Sequence, residues 1–210
     1  MNSAIIVSGG SGDRFGGDIP KQFIKLQGKE ILSFSVNTFL KHPEIDEVII
    51  VCHPNWIDHV RYKYSKCQIV KGGKQRRDSC LNGLMSISNN SSNVLIHDAA
   101  RPFISRNIIS NCLSALNTHE ACAPIIPSID SLVNINKGKA SFIDRSQTFI
   151  VQTPQCFKKN IITDVLKSNI SGTDEIGMLL KLYPKSKTTF VEGDMDNRKI
   201  TTPKDLNYFS

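Results

Sequence analysis

The chain has 210 residues, of which 40% are hydrophobic and 21% are charged, a composition that excludes a low-complexity chain and supports one domain spanning residues 1–210. A mean hydropathy of −0.19, with no apolar run near about 18 residues and no basic signal sequence, excludes a transmembrane helix and predicts a cytoplasmic protein. The 26 Lys and Arg residues outnumber the 19 Asp and Glu residues, and the net charge of +7 favours a polyanionic partner: a phosphorylated small molecule, a nucleic acid or an acidic membrane.

Apolar runs that end in polar loops predict the strands of a buried sheet over residues 4–8, 47–52, 68–71, 94–97 and 121–126. Between them, apolar residues at helical spacing predict helices over residues 31–40, 55–65, 76–88 and 106–117. Strands that read as continuous apolar runs are covered on both faces. The alternation therefore predicts an α/β fold with a mostly parallel sheet and helices on both faces.

The pattern changes over residues 127–152, where alternating stretches on either side of Lys137 and Gly138 predict an antiparallel hairpin. This segment has too few helices to cover it, so we expect it to project as an arm against another subunit. After Pro154 the sequence predicts helices over residues 160–167 and 174–182, a strand over 188–192 and a last helix from Pro203.

The loop after the first strand carries glycines together with Arg14 and Lys21. It has neither the P-loop spacing nor the dinucleotide-binding spacing, because Phe15 stands where a third glycine is needed. Glycine N–H groups and two cations in one loop suit a triphosphate. The alternative is a flexible turn with solvated charges.

Two further loops follow strands of the predicted sheet, where open parallel sheets bind ligands. Residues 72–79 combine Gly72 and Gly73 with the start of a helix, which attracts anions, and Ser79 could contact a base or ribose. The alternative is a surface loop before a basic helix start. In the third loop, Asp98 is placed to orient a magnesium–phosphate group, or to pair with Arg101 as a structural salt bridge. We expect the neighbouring His97 to be packed and hydrogen-bonded.

A fourth polar cluster lies near the carboxyl end of the chain, over residues 191–203. Thr202 before Pro203 is typical of a helix N-cap followed by proline at the first helical position. Lys199 precedes this cap, and spacing alone allows it to point into the site or into water.

The six cysteines are Cys52, Cys67, Cys80, Cys112, Cys122 and Cys156. They are scattered, without a CxxC pair or a nearby histidine, so we expect reduced structural thiols rather than disulfides or a zinc site. Aromatic residues make up 7% of the chain and do not alternate with the cations. Nucleic-acid stacking platforms require such aromatics, so a basic nucleic-acid-binding module is only a remote alternative, and we expect neither nucleic acid nor membrane as a partner.

Taken in order, the polar segments form a pattern that covers nearly the whole chain. The segments are GGSGDRFG and PKQF, GGKQRRDS, HDAARPF, DR at 144–145 followed by QTPQCF, TDE at 173–175, and VEGDMDNRKITTPKDL. In this pattern the chain resembles the 2-C-methyl-D-erythritol 4-phosphate cytidylyltransferases, within the nucleotidyltransferases with a Rossmann-like fold. It departs from them at Ser8-Gly9-Gly10, a form familiar from pentitol-phosphate cytidylyltransferases, and at residues 146–151, which lack the usual Leu-Trp.

The resemblance implies a reaction of CTP with 2-C-methyl-D-erythritol 4-phosphate that gives the CDP-linked product and pyrophosphate. Magnesium is expected with the CTP phosphates, held by Asp98 or by the phosphates alone. A homodimer is expected, in which the arm reaches the neighbouring subunit. Ribitol 5-phosphate or another pentitol phosphate is the alternative acceptor.

By the same resemblance, Arg14 and Lys21 would stabilise the transition state, while Arg145 and Lys199 would position the acceptor phosphate. Ser131 occupies the family's threonine position and would contact the acceptor. The residues expected to bind nucleotide or acceptor are Ser8, Gly9, Gly10, Gly12, Gly73, Arg76, Asp78, Ser79, Asp98, Ala99, Arg101, Ser131 and Thr153.

Overall fold

A computed structural model describes residues 1–10, 15 and 19–209 of the chain. Its main sheet has eight strands, and aliphatic residues fill the central ones because both faces of the sheet are covered. The strands of this sheet are β1 (Asn2–Ser8), β4 (Glu47–Cys52), β5 (Gln68–Lys71), β6 (Asn93–Asp98), β7 (Ala121–Pro127), β10 (Phe149–Val151), β11 (Gln155–Lys158) and β12 (Thr188–Glu192). Two short pairs lie outside it: β2 (Lys25–Leu26) with β3 (Lys29–Glu30), and β8 (Leu132–Asn136) with β9 (Lys139–Ile143).

The strand order β10-β7-β11-β6-β1-β4-β5, with β12 beside β7, makes the sheet mostly parallel. β1 is parallel to both β4 and β6, β4 to β5, and β12 to β7. β11 is antiparallel to both β6 and β7, between which it lies, and β10 is antiparallel to β7.

Helices cover both faces, as the sequence predicts. They are α1 (Ile31–Leu40), α2 (Ile57–Lys63), α3 (Arg76–Leu84), α4 (Arg106–Ala115), α5 (Lys159–Lys167) and α6 (Glu175–Leu182). Alternate residues of each strand point to opposite faces. Ile6 and Ile50 therefore pack against α1, α2 and α4, while Ile5 and Ile49 pack against α3, α5 and α6.

The predicted hairpin is formed by β8 and β9, which pair antiparallel. Lys137 and Gly138 form its turn with φ of 49° and 78°, the positive pair that a tight hairpin turn of the right twist requires. The hairpin is shorter than residues 127–152, because β10 returns to the main sheet and pairs with β7.

Other elements also differ from the sequence prediction. The short strands β2 and β3 were not predicted, and α3 ends at Leu84 rather than at residue 88. β11 was not predicted, since this four-residue strand follows Pro154 and shows neither a long apolar run nor alternation. The last helix, Pro203–Tyr208, is a 3₁₀ helix. Thr202 caps it as predicted, and the Asp205 carboxylate accepts hydrogen bonds from the backbone N–H groups of Thr201 and Thr202 at 2.7 and 2.8 Å.

All six cysteines are free thiols, and five of them are buried. Three of these, Cys112 on α4, Cys122 on β7 and Cys156 on β11, bring their sulfur atoms within 4.8 Å of one another. Their spacing along the sequence gives no sign of this, because α4 packs against a strand pair that only the fold creates. Across the described part of the chain, no helix has the length and apolar character needed to cross a bilayer.

Candidate functional site

A cavity of about 440 Å³ opens at the carboxyl ends of β1, β5 and β6. β1 lies between β4 and β6, so the connections on its two sides run in opposite directions along the sheet. Open parallel sheets bind ligands at such a topological switch point. The cavity is lined by Val7, Ser8, Gly9, Gly10, Lys21, Gln22, His53, Gly73, Lys74, Gln75, Arg76, Ser79, Asp98, Ala99, Ala100 and Lys199. The structure thus gathers residues from all four polar segments of the sequence around one opening.

The loop after β5 depends on glycine. A Cβ atom on Gly73 would lie 2.2 Å from the Cβ atom of Asp78, closer than the two atoms can approach. The Gly73 N–H donates to the Ser79 hydroxyl at 3.0 Å, and the Asp78 carboxylate accepts from the Gln75 N–H at 3.0 Å. Ser79 therefore lines the cavity while shaping the loop, whereas Asp78 caps α3 and does not line the cavity.

The loop after β1 is held by Gln22, whose role was not predicted. Gln22 is buried, and its side-chain amide donates to the carbonyl groups of Ser8 at 2.7 Å and Gly10 at 3.2 Å. The Ser8 hydroxyl donates to the Val51 carbonyl at 2.9 Å. These contacts fix the backbone of residues 8–10, where the loop that the sequence predicts to bind phosphate begins.

Lys21 and Lys199 lie on the same rim. The Lys21 ammonium donates to the backbone carbonyl of Ile200 at 2.9 Å, and the Lys199 ammonium lies 2.6 Å from the Asp98 carboxylate. Lys199 therefore points into the site, which spacing alone left open. Ile200, the residue after Lys199, accepts the hydrogen bond from Lys21. The positions of the two predicted catalytic lysines are therefore coupled through this backbone segment.

Asp98 is paired with Arg76 and Lys199. Its Oδ1 atom accepts from Arg76 at 3.1 Å and its Oδ2 atom from Lys199. Burial alone would raise the pKa of Asp98, but the charges of Arg76 and Lys199 outweigh it and hold that pKa well below its usual range. Arg76 also contacts the buried carboxylate of Glu175.

Arg101 does not form the salt bridge with Asp98 that was one reading of the sequence. Its guanidinium donates to the Asn197 carbonyl at 2.7 Å, and burial lowers its pKa. Arg101 and Lys199 also line a second cavity of about 290 Å³, together with Asp130 and Arg198. Lys199 thus stands between the two cavities.

His97 is packed and hydrogen-bonded, as expected. Its Nε2–H donates to the Arg101 carbonyl at 3.0 Å, which leaves Nδ1 to accept from the Thr153 hydroxyl at 3.0 Å. The Thr153 oxygen in turn accepts from the Asp98 N–H at 3.1 Å. Burial lowers the pKa of His97 to about 4. Thr153, predicted to bind ligand, is buried and holds the backbone of Asp98 from behind.

Ser131 and Arg145 lie on the exposed arm and line neither cavity of their own chain. The Arg145 guanidinium donates to the Ile129 carbonyl at 3.1 Å. Gly12 and Arg14 fall outside the described residues. The other predicted residues that meet at the larger cavity with Lys21 and Lys199 are Ser8, Gly9, Gly10, Gly73, Arg76, Ser79, Asp98 and Ala99.

Comparison with known proteins gives a consistent result. A family model described as "IspD: 2-C-methyl-D-erythritol 4-phosphate cytidylyltransferase" matches residues 2–209. A relative with that enzyme name from Clostridium botulinum (strain 657 / Type Ba4) is 42% identical over 219 residues, covering 98% of this chain and 94% of the relative. Another from Clostridioides difficile (strain 630) is 37% identical over 218 residues, covering 99% and 91%.

Solved structures of the same kind are similar to this one. That of 4-diphosphocytidyl-2C-methyl-D-erythritol synthase from Anaerococcus prevotii DSM 20548 has a TM-score of 0.89 at 28% identity, covering 99% of this chain and 93% of the other. The Francisella tularensis 2-C-methyl-D-erythritol 4-phosphate cytidylyltransferase has a TM-score of 0.80 at 26% identity, covering 99% and 98%.

Proposed function

The chain belongs to the 2-C-methyl-D-erythritol 4-phosphate cytidylyltransferase family, and we propose from this premise how its residues divide the work of the reaction. The enzyme joins CTP to 2-C-methyl-D-erythritol 4-phosphate, giving 4-CDP-2-C-methyl-D-erythritol and pyrophosphate, a step of non-mevalonate isoprenoid biosynthesis. An oxygen of the acceptor phosphate forms a bond to the α-phosphorus of CTP. The bond from that phosphorus to the β-phosphate oxygen breaks, and the electron pair leaves with pyrophosphate.

The observation that carries this assignment of roles is the position of Lys199 between the two cavities, beside Lys21. The acceptor phosphate is already an anion, so the reaction needs cations that hold two polyanions in line rather than a strong base. The site accordingly does not use His97 as a base, since His97 is buried and both of its ring nitrogens are hydrogen-bonded.

We assign the larger cavity to CTP and the smaller one to the acceptor. Lys21 would neutralise the charge that builds on the leaving pyrophosphate, and Arg14 would share that role by the family resemblance. Lys199 would hold the acceptor phosphate. The backbone N–H groups of Gly9 and Gly10 would contact the triphosphate.

Asp98 is the one carboxylate among the described residues that line the larger cavity. Mg²⁺ is commonly held in proteins by one or two carboxylates together with substrate phosphates. This donor set fits, so Asp98 is the side chain that would hold Mg²⁺ with the CTP phosphates. The ion would supply part of the charge that the triphosphate requires.

We propose a homodimer in which residues 127–152 act as the dimerisation arm of a single nucleotidyltransferase domain over residues 1–210. The arm exposes large apolar side chains, among them Phe142 at 85% and Ile135 at 69%. Exposed apolar hairpins of this kind favour a protein partner. A second copy would cover them and bring Ser131 and Arg145 to the acceptor cavity of its neighbour.

Pyrophosphate release with a panel of substrates tests the function. We expect turnover with CTP and 2-C-methyl-D-erythritol 4-phosphate, and much slower release with ribitol 5-phosphate as acceptor. Faster release with ribitol 5-phosphate would assign the chain to the pentitol-phosphate alternative.

A second panel compares nucleotides at fixed acceptor. Glycine backbone and Ser79 frame the cavity, which favours a pyrimidine base. Turnover with CTP should therefore exceed turnover with UTP and far exceed turnover with ATP or GTP. Equal turnover with ATP would overturn the assignment of the larger cavity. We also propose that the enzyme works in the cytoplasm without nucleic-acid or membrane partners, which its six free thiols support.

A further inference from the structure

Four charged side chains of alternating sign extend from the interior to the acceptor cavity. The order is Glu175, Arg76, Asp98 and Lys199, and each neighbouring pair forms a salt bridge. The inner end of this charge chain is closed to solvent, since the Glu175 side chain is 1% exposed, whereas the Arg76 side chain is 30% exposed and the Lys199 side chain 38%. The four residues come from α6, α3, β6 and the segment after β12, so the fold alone assembles them.

Glu175 is rigidly placed at the first turn of α6. The Gln155 side-chain oxygen accepts hydrogen bonds from the backbone N–H groups of Glu175 and Ile176, each at 2.9 Å. Asp174 caps the same helix by accepting from the Gly177 N–H at 2.6 Å. The Glu175 Oε1 atom accepts from Arg76 and from the Cys80 thiol, so Arg76 is its one charged partner among the described residues.

The stability of the fold does not explain this carboxylate. Its Oε2 atom is buried and has no hydrogen-bond partner among the described residues. A buried charge with an unbonded oxygen costs free energy, and apolar replacements of buried ion pairs are often at least as stable. The charge is therefore better explained by what it does to Arg76 than by what it adds to the core.

Arg76 is the link between the two carboxylates. Its Nη1 atom faces Glu175, while its Nε and Nη2 atoms both donate to Asp98 Oδ1, at 3.3 and 3.1 Å. Burial alone would lower the pKa of Arg76, but Asp98 and Glu175 outweigh it and raise that pKa. With Oδ1 held in this way, the other oxygen of Asp98 is directed at Lys199.

We propose that Glu175 is a positioning residue for the reaction, holding Arg76 so that Asp98 presents its Oδ2 atom to Lys199 and so sets where the acceptor phosphate binds. This inference rests on the proposed role of Lys199. It predicts that loss of the Glu175 charge disturbs acceptor binding although Glu175 contacts no substrate.

The test compares Glu175→Gln with Glu30→Gln. Glu30 is a matched control, since it is also buried and paired with cations, with Lys63 at 2.8 Å and His59 at 2.9 Å, but it lines neither of the two reaction cavities. We expect Glu175→Gln to raise the KM for 2-C-methyl-D-erythritol 4-phosphate about tenfold and to raise the KM for CTP by a smaller factor, because Arg76 and Asp98 also line the cavity assigned to CTP. Glu30→Gln should leave both constants at the wild-type values.

A second variant keeps the inference testable if Glu175→Gln does not fold. Arg76→Lys retains the charge but lacks the fork that reaches two carboxylates, and it should raise the acceptor KM in the same way. The double variant should be no worse than Arg76→Lys alone, since Glu175 acts through Arg76. Unchanged acceptor KM in both single variants, or equal effects of Glu175→Gln and Glu30→Gln, would overturn the inference. If the wild-type enzyme does not accept 2-C-methyl-D-erythritol 4-phosphate, it is the proposed function that fails.

Discussion

Lys21 and Lys199 show how a single side chain can be both a structural and a reactive group. In the structure each ammonium has a partner, the Ile200 carbonyl for Lys21 and the Asp98 carboxylate for Lys199. A phosphate that binds has to compete with these partners, so the lysines are held in position before the substrates arrive. Catalysis by charge benefits from such preorganisation.

Replacing Lys21 with alanine should lower kcat more than it raises the KM for CTP, because the lost contact strengthens as charge builds on the leaving pyrophosphate. By analogy with an oxyanion donor the loss is about 2.7–4 kcal/mol, or roughly two to three decades in kcat. Steady-state pyrophosphate release measures it. Lys25→Ala is the control, since Lys25 is exposed and does not line the cavity. A near-normal kcat for Lys21→Ala would show that Lys21 does not stabilise the transition state.

His97 should make the stability of the fold depend on pH. Its pKa is lowered by burial to about 4 in the folded protein and is about 6.5 when unfolded. Below pH 6.5 the unfolded chain therefore binds a proton that the folded chain does not. As the pH falls from about 6.5 to 4, this group alone should reduce the free energy of unfolding by about 1.4 kcal/mol for each pH unit.

Urea unfolding across pH 4.5–7 measures this dependence, and His97→Asn should have a shallower slope than the wild type. Asp205 has a lowered pKa as well, but a carboxyl group affects stability below its unfolded value of about 4. Equal slopes in wild type and His97→Asn would show that His97 is accessible to protons in the folded state.

At the scale of elements, the hydrophobic pattern of the sequence predicts the strands that lie between parallel neighbours in the sheet. β1, β4 and β6 are buried on both faces, so their sequences are continuous aliphatic runs that identify them. β11 was not identifiable because its four residues acquire their role from pairing with β6 and β7. Distant pairing of this kind leaves no local signal.

The loop after β5 gives a prediction about glycine. Gly73→Ala should destabilise the protein by about 1–3 kcal/mol, as overpacking does, since its Cβ atom would collide with Asp78. Gly10→Ala is the matched comparison, because among the described residues no atom beyond the chain neighbours lies within 4 Å of its added Cβ. Thermal unfolding of the two variants should therefore show a lower midpoint for Gly73→Ala. Equal midpoints would mean that the loop relaxes without cost.

At the scale of the whole molecule, the candidate site was predictable in outline. Motif order and the position of loops after parallel strands identified Lys21, Asp98 and Lys199. Gln22 and Glu175 lay in quoted motifs without an assigned role, because a single sequence does not show that a polar side chain is buried. The pairing of Asp98 with Arg76 rather than Arg101 likewise depends on how α3 packs.

The shared site of the proposed dimer predicts complementation between two inactive variants. If the arm of one chain serves the cavity of its neighbour, a dimer of Arg145→Ala with Lys21→Ala has one site with both defects and one with neither. Mixing the two should restore up to about half of the native activity per mixed dimer. Subunit exchange, measured with a labelled chain, establishes that mixed dimers are present.

The control mixes Lys21→Ala with Lys199→Ala. Both lysines line the cavity of the same chain, so every site in that mixed dimer lacks one of them and no activity should return. Recovery in the control, absence of recovery in the first mixture despite exchange, or a monomer in sedimentation would rule out the shared site.

The reactivity of the buried thiols can be used to measure how often the folded chain opens. Cys67 is the single cysteine that is partly exposed. Its partial burial raises its pKa to about 11, so an alkylating reagent at mildly alkaline pH should label it alone and slowly. The other five thiols become reactive when the sheet opens, and a ligand that binds the folded state slows that reaction by mass action. Counting labelled thiols by mass spectrometry therefore measures CTP binding without turnover. The measurement distinguishes an inactive variant that no longer binds CTP from one that binds CTP but does not catalyse the reaction.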